Sequence, residues 1–140
     1  MAGQIFRYTY RVAYTDCTVG NHVYYARYLD IVEVARGEFF RHLNEPFLKW
    51  QHTDTIFPAI ECRLRYKNAA RYDDLLTVEI CVAELDRVRL SFAYRITKEE
   101  DVEILLGSTI HACTSVNEKL KRIPDVLAAK LAPYVQNKSS

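Results

Sequence analysis

The sequence predicts an α+β fold of two layers, one helix against one antiparallel sheet. Three observations predict it. Residues 24–43 carry apolar side chains at helical spacing. Five other stretches read as strands, four by alternation of apolar and polar residues and one as a continuous apolar run. The last four of these follow one another through short turns, which join antiparallel neighbours. At 140 residues and a net charge of +1, the chain is long enough for one domain with its own core. Its charge balance gives no global field to draw nucleic acid or an anionic membrane. A single domain over residues 1–136 is expected, with a frayed tail from Asn137 to Ser140.

The N-terminal stretch MAGQIFRYTYRV has no long apolar run, and no window approaches the ~20 apolar residues of a membrane span. The expectation is a cytoplasmic protein that does not meet a membrane. Cys17, Cys62, Cys81 and Cys113 lie far apart with no C-x-x-C pair. Neither a zinc site nor a redox motif is expected, and the thiols should be free. Nothing in the chain calls for a metal or an organic cofactor. Ten tyrosines supply apolar bodies with polar tips, which suit clefts and subunit interfaces.

Residues 4–14 alternate, with Phe6, Tyr8, Tyr10, Val12 and Tyr14 on one side, and read as a strand. Asp16 to Asn21 holds Asp, Thr, Gly and Asn, which are loop residues. From Tyr24 to Leu43 the wheel places Arg27, Asp30, Glu38 and Arg41 on one side. Tyr28, Leu29, Val32, Ala35, Phe39, Phe40 and Leu43 fill the other. Val34 is an apolar exception on the polar side. Arg36 falls in the middle of the apolar face and Glu33 at its edge, three residues apart and able to pair. Such a pair serves either as a half-buried structural salt bridge or as part of a site, since a charge in a core needs a partner.

Asn44-Glu45-Pro46 stops the helix. Residues 47–57, with the only Trp, Trp50, read as a short helical turn and loop. Strands then follow over Ile60–Lys67, Leu76–Ala83 and Val88–Ile96, with turns at Asn68–Asp74, Glu84–Arg87 and Lys98–Asp101. Val102–Val116 is apolar or small on both faces, which predicts a strand covered on both sides. Pro124 introduces a last short helix, which Pro133 ends. The long helix is too apolar around its girth for a flat sheet, so the sheet should curl around it. The far side of the sheet would then be left for another copy of the chain, a dimer at least.

Chemistry concentrates between Tyr14 and Phe40. A carboxylate, a Gly-containing loop and a helix start sit within ten residues. A helix start offers free N–H groups and the positive end of a dipole. A carboxylate beside it can act as base or nucleophile, the pairing a carbonyl-cleaving site needs. Asp16 has a plainer use as a turn cap. His22 either orders the loop or polarises a carbonyl. Cys17 stands beside a carboxylate, whose field opposes thiolate formation.

Four segments resemble one family. They are Tyr14-Thr15-Asp16; His22 to Leu29 with Glu33 and Arg36; Tyr66 to Asp74; and Arg122-Ile123-Pro124. In this order they are similar to the hotdog-fold acyl-CoA thioesterases of the 4-hydroxybenzoyl-CoA thioesterase type. The loop from Asp16 to His22 is about two residues longer than the family spacing. The resemblance implies a hotdog fold, one long helix wrapped by a five-stranded antiparallel sheet. It implies thioester hydrolysis with Asp16 as nucleophile or general base. The backbone N–H of Tyr25, with Tyr24 as second choice, would hold the oxyanion, and His22 would assist at the thioester. Tyr24 and Tyr28, with Trp50, would line an acyl pocket. Arg71 is favoured over Arg63, Lys67, Arg87 and Arg89 for the phosphates of coenzyme A. The substrate would be an acyl-CoA or an acyl carrier protein thioester, and the enzyme a homo-oligomer, dimer or homotetramer, with its site between subunits. Two rival readings are a non-catalytic acyl-CoA-binding module and a dehydratase of 3-hydroxyacyl thioesters.

Overall fold

The structure, a computed structural model, describes residues 3–136. The expected tail at Asn137–Ser140 lies outside the described residues. Strand β1 (Phe6–Arg11) leads into a two-stranded hairpin of β2 (Cys17–Thr18) and β3 (His22–Val23). Helix α1 (Arg27–His42) and the short α2 (Phe47–Gln51) follow. Then come β4 (Ala59–Tyr66), β5 (Leu75–Leu85), β6 (Arg89–Lys98) and β7 (Val102–Ala112), and last α3 (Asp125–Leu131). The main sheet has five strands in the order β1-β5-β6-β7-β4, every pair antiparallel. Among the described residues no helix is long and apolar enough to cross a membrane.

The alternation read from sequence sets the faces. Leu76, Val78, Ile80 and Val82 of β5, and Leu90, Phe92, Tyr94 and Ile96 of β6, are buried. Against them lie Tyr28, Ile31, Val32, Ala35, Phe39 and Phe40 of α1. The sheet curls because both of its edge strands reach the same helix. Phe6 of β1 stacks on Phe39 at 5.2 Å between ring centroids. At the other edge Tyr66 of β4 meets Tyr28 at 5.6 Å. Phe40 and Phe92 meet edge to face between them at 6.1 Å, an arrangement favoured by the ring quadrupoles.

Helix α1 starts at Arg27, three residues later than its periodicity predicts. The N–H of Tyr24 is bound to the Asp16 carbonyl at 2.9 Å, and the Tyr24 carbonyl accepts from Arg27 N–H at 2.8 Å. Tyr24, Tyr25 and Ala26 are thereby held in a turn. Leu29, predicted on the apolar face, is 39% exposed, and Val34 is exposed as predicted. The helix stops at Asn44, whose φ is 61°. Asn44 N–H donates to the Arg41 carbonyl and Glu45 N–H to that of Phe40, the Schellman pattern of a left-handed cap.

Two further expectations change. Tyr14 does not continue β1; it opens a 3-10 turn, Tyr14–Asp16, and is exposed. The segment from Asp16 to Asn21, expected as loop, is drawn largely into the hairpin of β2 and β3. In the single chain strand β7 is covered on the helix side, and its other face is the one expected to meet another copy. Its outward residues Leu106, Ser108 and Ile110 stay half-buried, and the neighbouring outward Arg95 is paired with Glu103 and Asp101.

Glu45, read from sequence only as part of a helix stop, is buried and accepts from Lys49 at 2.7 Å and Lys130 at 3.2 Å. It ties α2 and α3 to the end of α1. Burial alone would raise its carboxyl, but the two ammonium groups outweigh it and hold the carboxyl below the ordinary 4.5. A carboxyl lowered by folding stabilises the fold above the unfolded-state value and stops doing so as pH falls through the folded-state value. Glu45→Gln should therefore lower stability by about 2 kcal/mol at pH 7. Chemical denaturation at pH 7 and at pH 3 checks this: the difference between variant and wild type should shrink at pH 3.

Candidate active site

Asp16 is fixed from several sides. Its Oδ2 accepts from the Tyr10 hydroxyl at 2.6 Å and from Ala13 N–H at 2.8 Å. Its backbone N–H returns to the Ala13 carbonyl at 2.9 Å, which closes the 3-10 turn. Arg27 Nε stands 3.7 Å from Oδ1. The residue is only 5% exposed. One carboxylate oxygen is thus saturated, and the other has a cation beside it and no hydrogen bond among the described residues. Tyr10 is pushed up to about 12, first by its burial and then by the Asp16 carboxylate. It therefore keeps its proton and remains a donor across the physiological range.

The hairpin accounts for the longer loop. Cys17 pairs with Val23 and Thr18 with His22, around the three residues Val19, Gly20 and Asn21. Gly20 at φ 86° and Asn21 at φ 61° adopt the left-handed region that such a tight connection demands. The extra residues are spent inside this hairpin. Its return strand brings Tyr24 N–H back to the Asp16 carbonyl. The Asp16 backbone and the turn before α1 are therefore joined by one hydrogen bond despite the insertion.

Of the predicted residues three line one groove, and Asp16, Tyr24, Arg71 and Trp50 stand outside its lining. His22, Tyr25 and Tyr28 come together with Val23, Tyr66 and Lys67 around an open groove of about 310 Å³. Tyr25 is exposed and its carbonyl accepts from the Tyr66 hydroxyl at 2.9 Å. Its N–H has no acceptor among the described residues. Tyr25 stands in the turn before α1 rather than in the first helical turn. Tyr24 has no free N–H, because Asp16 holds it, and its exposed ring packs on Tyr25 at 4.7 Å. Tyr28 is buried, and its hydroxyl accepts from Ala70 N–H at 3.3 Å. His22 is exposed and packs over Gly20, not at a helix N-terminus. Arg71 donates to the Gly20 carbonyl at 3.1 Å and so clamps the hairpin from the turn after β4. Trp50 lies apart, buried on α2 beneath Lys49.

A second polar group was read from the sequence only in part: Arg36 was placed on the apolar face, but its partners were not. Arg36 donates to the Tyr94 hydroxyl at 3.0 Å, and Tyr94 meets the Thr109 hydroxyl at 2.5 Å. Thr109 contacts His111 Nε2 at 2.8 Å, and His111 Nδ1 faces the Phe57 carbonyl at 2.9 Å. Burial brings His111 down to about 4; the Phe57 carbonyl opposes this and the Arg36 charge adds to it. The imidazole is neutral at pH 7. Because a carbonyl only accepts, Nδ1 carries the proton and Nε2 accepts from Thr109, whose own oxygen then accepts from Tyr94. The signal for this chain was the alternation of Thr109 and His111 within β7, masked by the apolar residues around them.

Taken together, one helix held in the curl of a five-stranded antiparallel sheet, with a carboxylate at the helix entrance, is the architecture of the hotdog-fold thioesterases. A family model described as the thioesterase-like superfamily matches residues 12–131, and the chain belongs to that superfamily. It is 35% identical over 96 residues to the acyl-CoA thioesterase YbgC of Haemophilus influenzae, covering 66% of this chain and 69% of that one. The crystal structure of a hypothetical protein from Aquifex aeolicus superposes with a TM-score of 0.85 at 28% identity, covering 90% of this chain and 98% of that one. A 1,4-dihydroxy-2-naphthoyl-CoA thioesterase from Synechocystis shares the fold, with a TM-score of 0.86 at 17% identity over 92% of this chain and 96% of that one.

A methyl group added at Gly20 would lie 2.8 Å from His22 Nε2, at a φ of 86°. Gly20→Ala should destabilise the protein by about 1 kcal/mol and displace the His22 ring. Thermal melting reads the first effect. The chemical shifts of the His22 imidazole read the second, and unchanged shifts would contradict the packing described.

Proposed function

We propose that this protein is an acyl-CoA thioesterase. It cleaves the thioester to a free acid and coenzyme A through Asp16. The observation that carries the reading is the join between Asp16 and the turn at Tyr25. One carboxylate oxygen is held by Tyr10 and Ala13, the other is open, and the unbonded N–H of Tyr25 is next in sequence to the residue that Asp16 binds. Membership of the thioesterase-like superfamily and the name of the Haemophilus influenzae relative support the substrate class.

In this mechanism Oδ1 of Asp16 is the reacting atom. As nucleophile it forms a bond to the thioester carbon. Charge develops on the carbonyl oxygen, where the Tyr25 N–H receives it. The C–S bond then breaks, and coenzyme A leaves as a thiolate that takes up a proton. Water hydrolyses the resulting mixed anhydride and frees Asp16. As general base, Oδ1 instead takes the proton of a water that attacks the same carbon. Label appearing in the Asp16 carboxylate after single-turnover hydrolysis in heavy-oxygen water identifies the nucleophilic route with water attacking the Asp16 carbon of the anhydride. Trapping of the acyl–Asp16 anhydride by hydroxylamine identifies that route when water attacks the other carbon. A preorganised N–H donor at the oxyanion contributes about 3 kcal/mol. His22, on the rim of the groove, positions the carbonyl or the water. Tyr28 with Tyr25 and Tyr66 lines the acyl path, and Tyr24 stands at its mouth. Arg71 has donors left beyond its bond to Gly20 and meets a phosphate of coenzyme A.

The enzyme acts as a homo-oligomer, dimer or tetramer, in the cytoplasm. Strand β4 supports the assembly: it is the sheet edge beside the groove, and its helix-side residues Ile60, Cys62 and Tyr66 are exposed in the single chain. A second copy against β4 would close the groove.

Thiol release from a panel of acyl-CoAs tests the reading. Wild type should turn over at least one member. Asp16→Asn should lose about 100-fold or more in kcat, while melting stays within a few degrees. Binding of acyl-CoA without release across the panel would leave a binding module in its place.

A further inference from the structure

Beneath the C-terminal half of α1 lies a second cavity, of about 170 Å³. Phenylalanine rings form its apolar wall, and Glu33, Arg36, Gln51, Thr55 and His111 its polar one. This is close to the ~150 Å³ that accommodates a benzene ring and below the ~300 Å³ where pockets for whole ligands begin. It has room for one end of a ligand.

Arg36 is the residue that needs explaining. Its side chain is 11% exposed, and the nearest carboxylate, that of Glu33, is 3.6 Å away on a side chain that is 70% exposed. An exposed pair at that distance contributes little, whereas a cation withdrawn from water calls for a close, well-bonded anion. Tyr94 takes one of its N–H groups. The hydroxyl and imidazole protons of Tyr94, Thr109 and His111 are all used along the chain to the Phe57 carbonyl. Within this hydrogen-bonded chain only Arg36 has donors left for a ligand; the amide of Gln51, exposed to solvent, is a further donor on the cavity wall.

The cavity lies along the same helix as the reaction site. Arg27 faces Asp16, and Arg36 is nine residues further along α1, about 13 Å at 1.5 Å per residue. Tyr66 and Cys62, two inward residues of β4, span the interval. Tyr66 bonds the Tyr25 carbonyl, and Cys62 is near enough to Arg36 for its charge to offset part of the upward push of burial on the thiol.

We propose that this cavity receives the far end of the acyl chain and that this end carries a carboxylate, paired with Arg36. The substrate is then the coenzyme A half-thioester of a dicarboxylic acid, and Glu33 occupies Arg36 only in its absence. The proposal rests on the thioesterase reading above.

Adipoyl-CoA and hexanoyl-CoA are probes of equal carbon number that differ in the terminal carboxylate. Hydrolysis of each by wild type, Arg36→Met and Glu33→Gln is followed by thiol release, and binding of free adipate is followed by calorimetry. Wild type should prefer adipoyl-CoA in kcat/KM. Arg36→Met should reduce that preference about 30-fold and abolish adipate binding. Glu33→Gln should increase the preference by removing the competing carboxylate, and it keeps the test open if Arg36→Met does not fold. Turnover of both substrates without preference, or a preference that survives in Arg36→Met, overturns the proposal and leaves the thioesterase reading intact. Adipate binding that depends on Arg36, with neither thioester cleaved, upholds the carboxylate site and removes the thioesterase reading. Neither binding nor cleavage removes both.

Discussion

The structure depends on the way Asp16 is tied. Its carboxylate holds Tyr10 of β1 and the N–H of Ala13, Arg27 of α1 approaches its other oxygen, and its backbone carbonyl holds Tyr24. These contacts join the first strand, the hairpin and the start of the helix at one residue. A carboxylate withdrawn from water is tolerated only when its hydrogen bonds are supplied. Here they saturate one oxygen and leave the other open. A single arrangement therefore shapes the chain, and the proposed mechanism places the reacting atom on the same residue.

From this point α1 acts as a ruler. Both edges of the sheet close on it, β1 through Phe6 and β4 through Tyr66. Two polar places result on its length, one at Asp16 and Tyr25 and one at Arg36. Between them the inward face of β4 carries Cys62 and Tyr66, incompletely covered by the single chain. The apolar core behind, with Phe39, Phe40 and Phe92 in contact, fixes the helix against the sheet. Distances between the two polar places are thereby set by backbone geometry rather than by loops.

Much of this was legible in the sequence. Alternation in β5 and β6 gave the buried face because each long strand repeats its pattern several times. The placement of Arg36 on the apolar face and Glu33 at its edge also followed from the wheel. The hairpin of β2 and β3 was not legible, since strands of two residues carry no period and are made by Gly20, Asn21 and backbone pairing. The start of α1 was misplaced because Tyr24 to Ala26 fit the helical pattern, while a tertiary hydrogen bond to Asp16 holds them in a turn. Thr109 and His111 were hidden because their partners, Tyr94 and the Phe57 carbonyl, are distant in sequence. Glu45 looked like punctuation, because its partner Lys130 is 85 residues away.

The central claim is that a thioester carbonyl sits between Asp16 Oδ1 and the Tyr25 N–H. A crystal structure with a coenzyme A analogue in which methylene replaces the thioester sulfur, keeping the carbonyl, tests it most directly. The account predicts the carbonyl oxygen about 2.7–3.1 Å from Tyr25 N, with its carbon facing Oδ1. A carbonyl bound elsewhere, with Tyr25 N–H on water and Oδ1 unapproached, would contradict it.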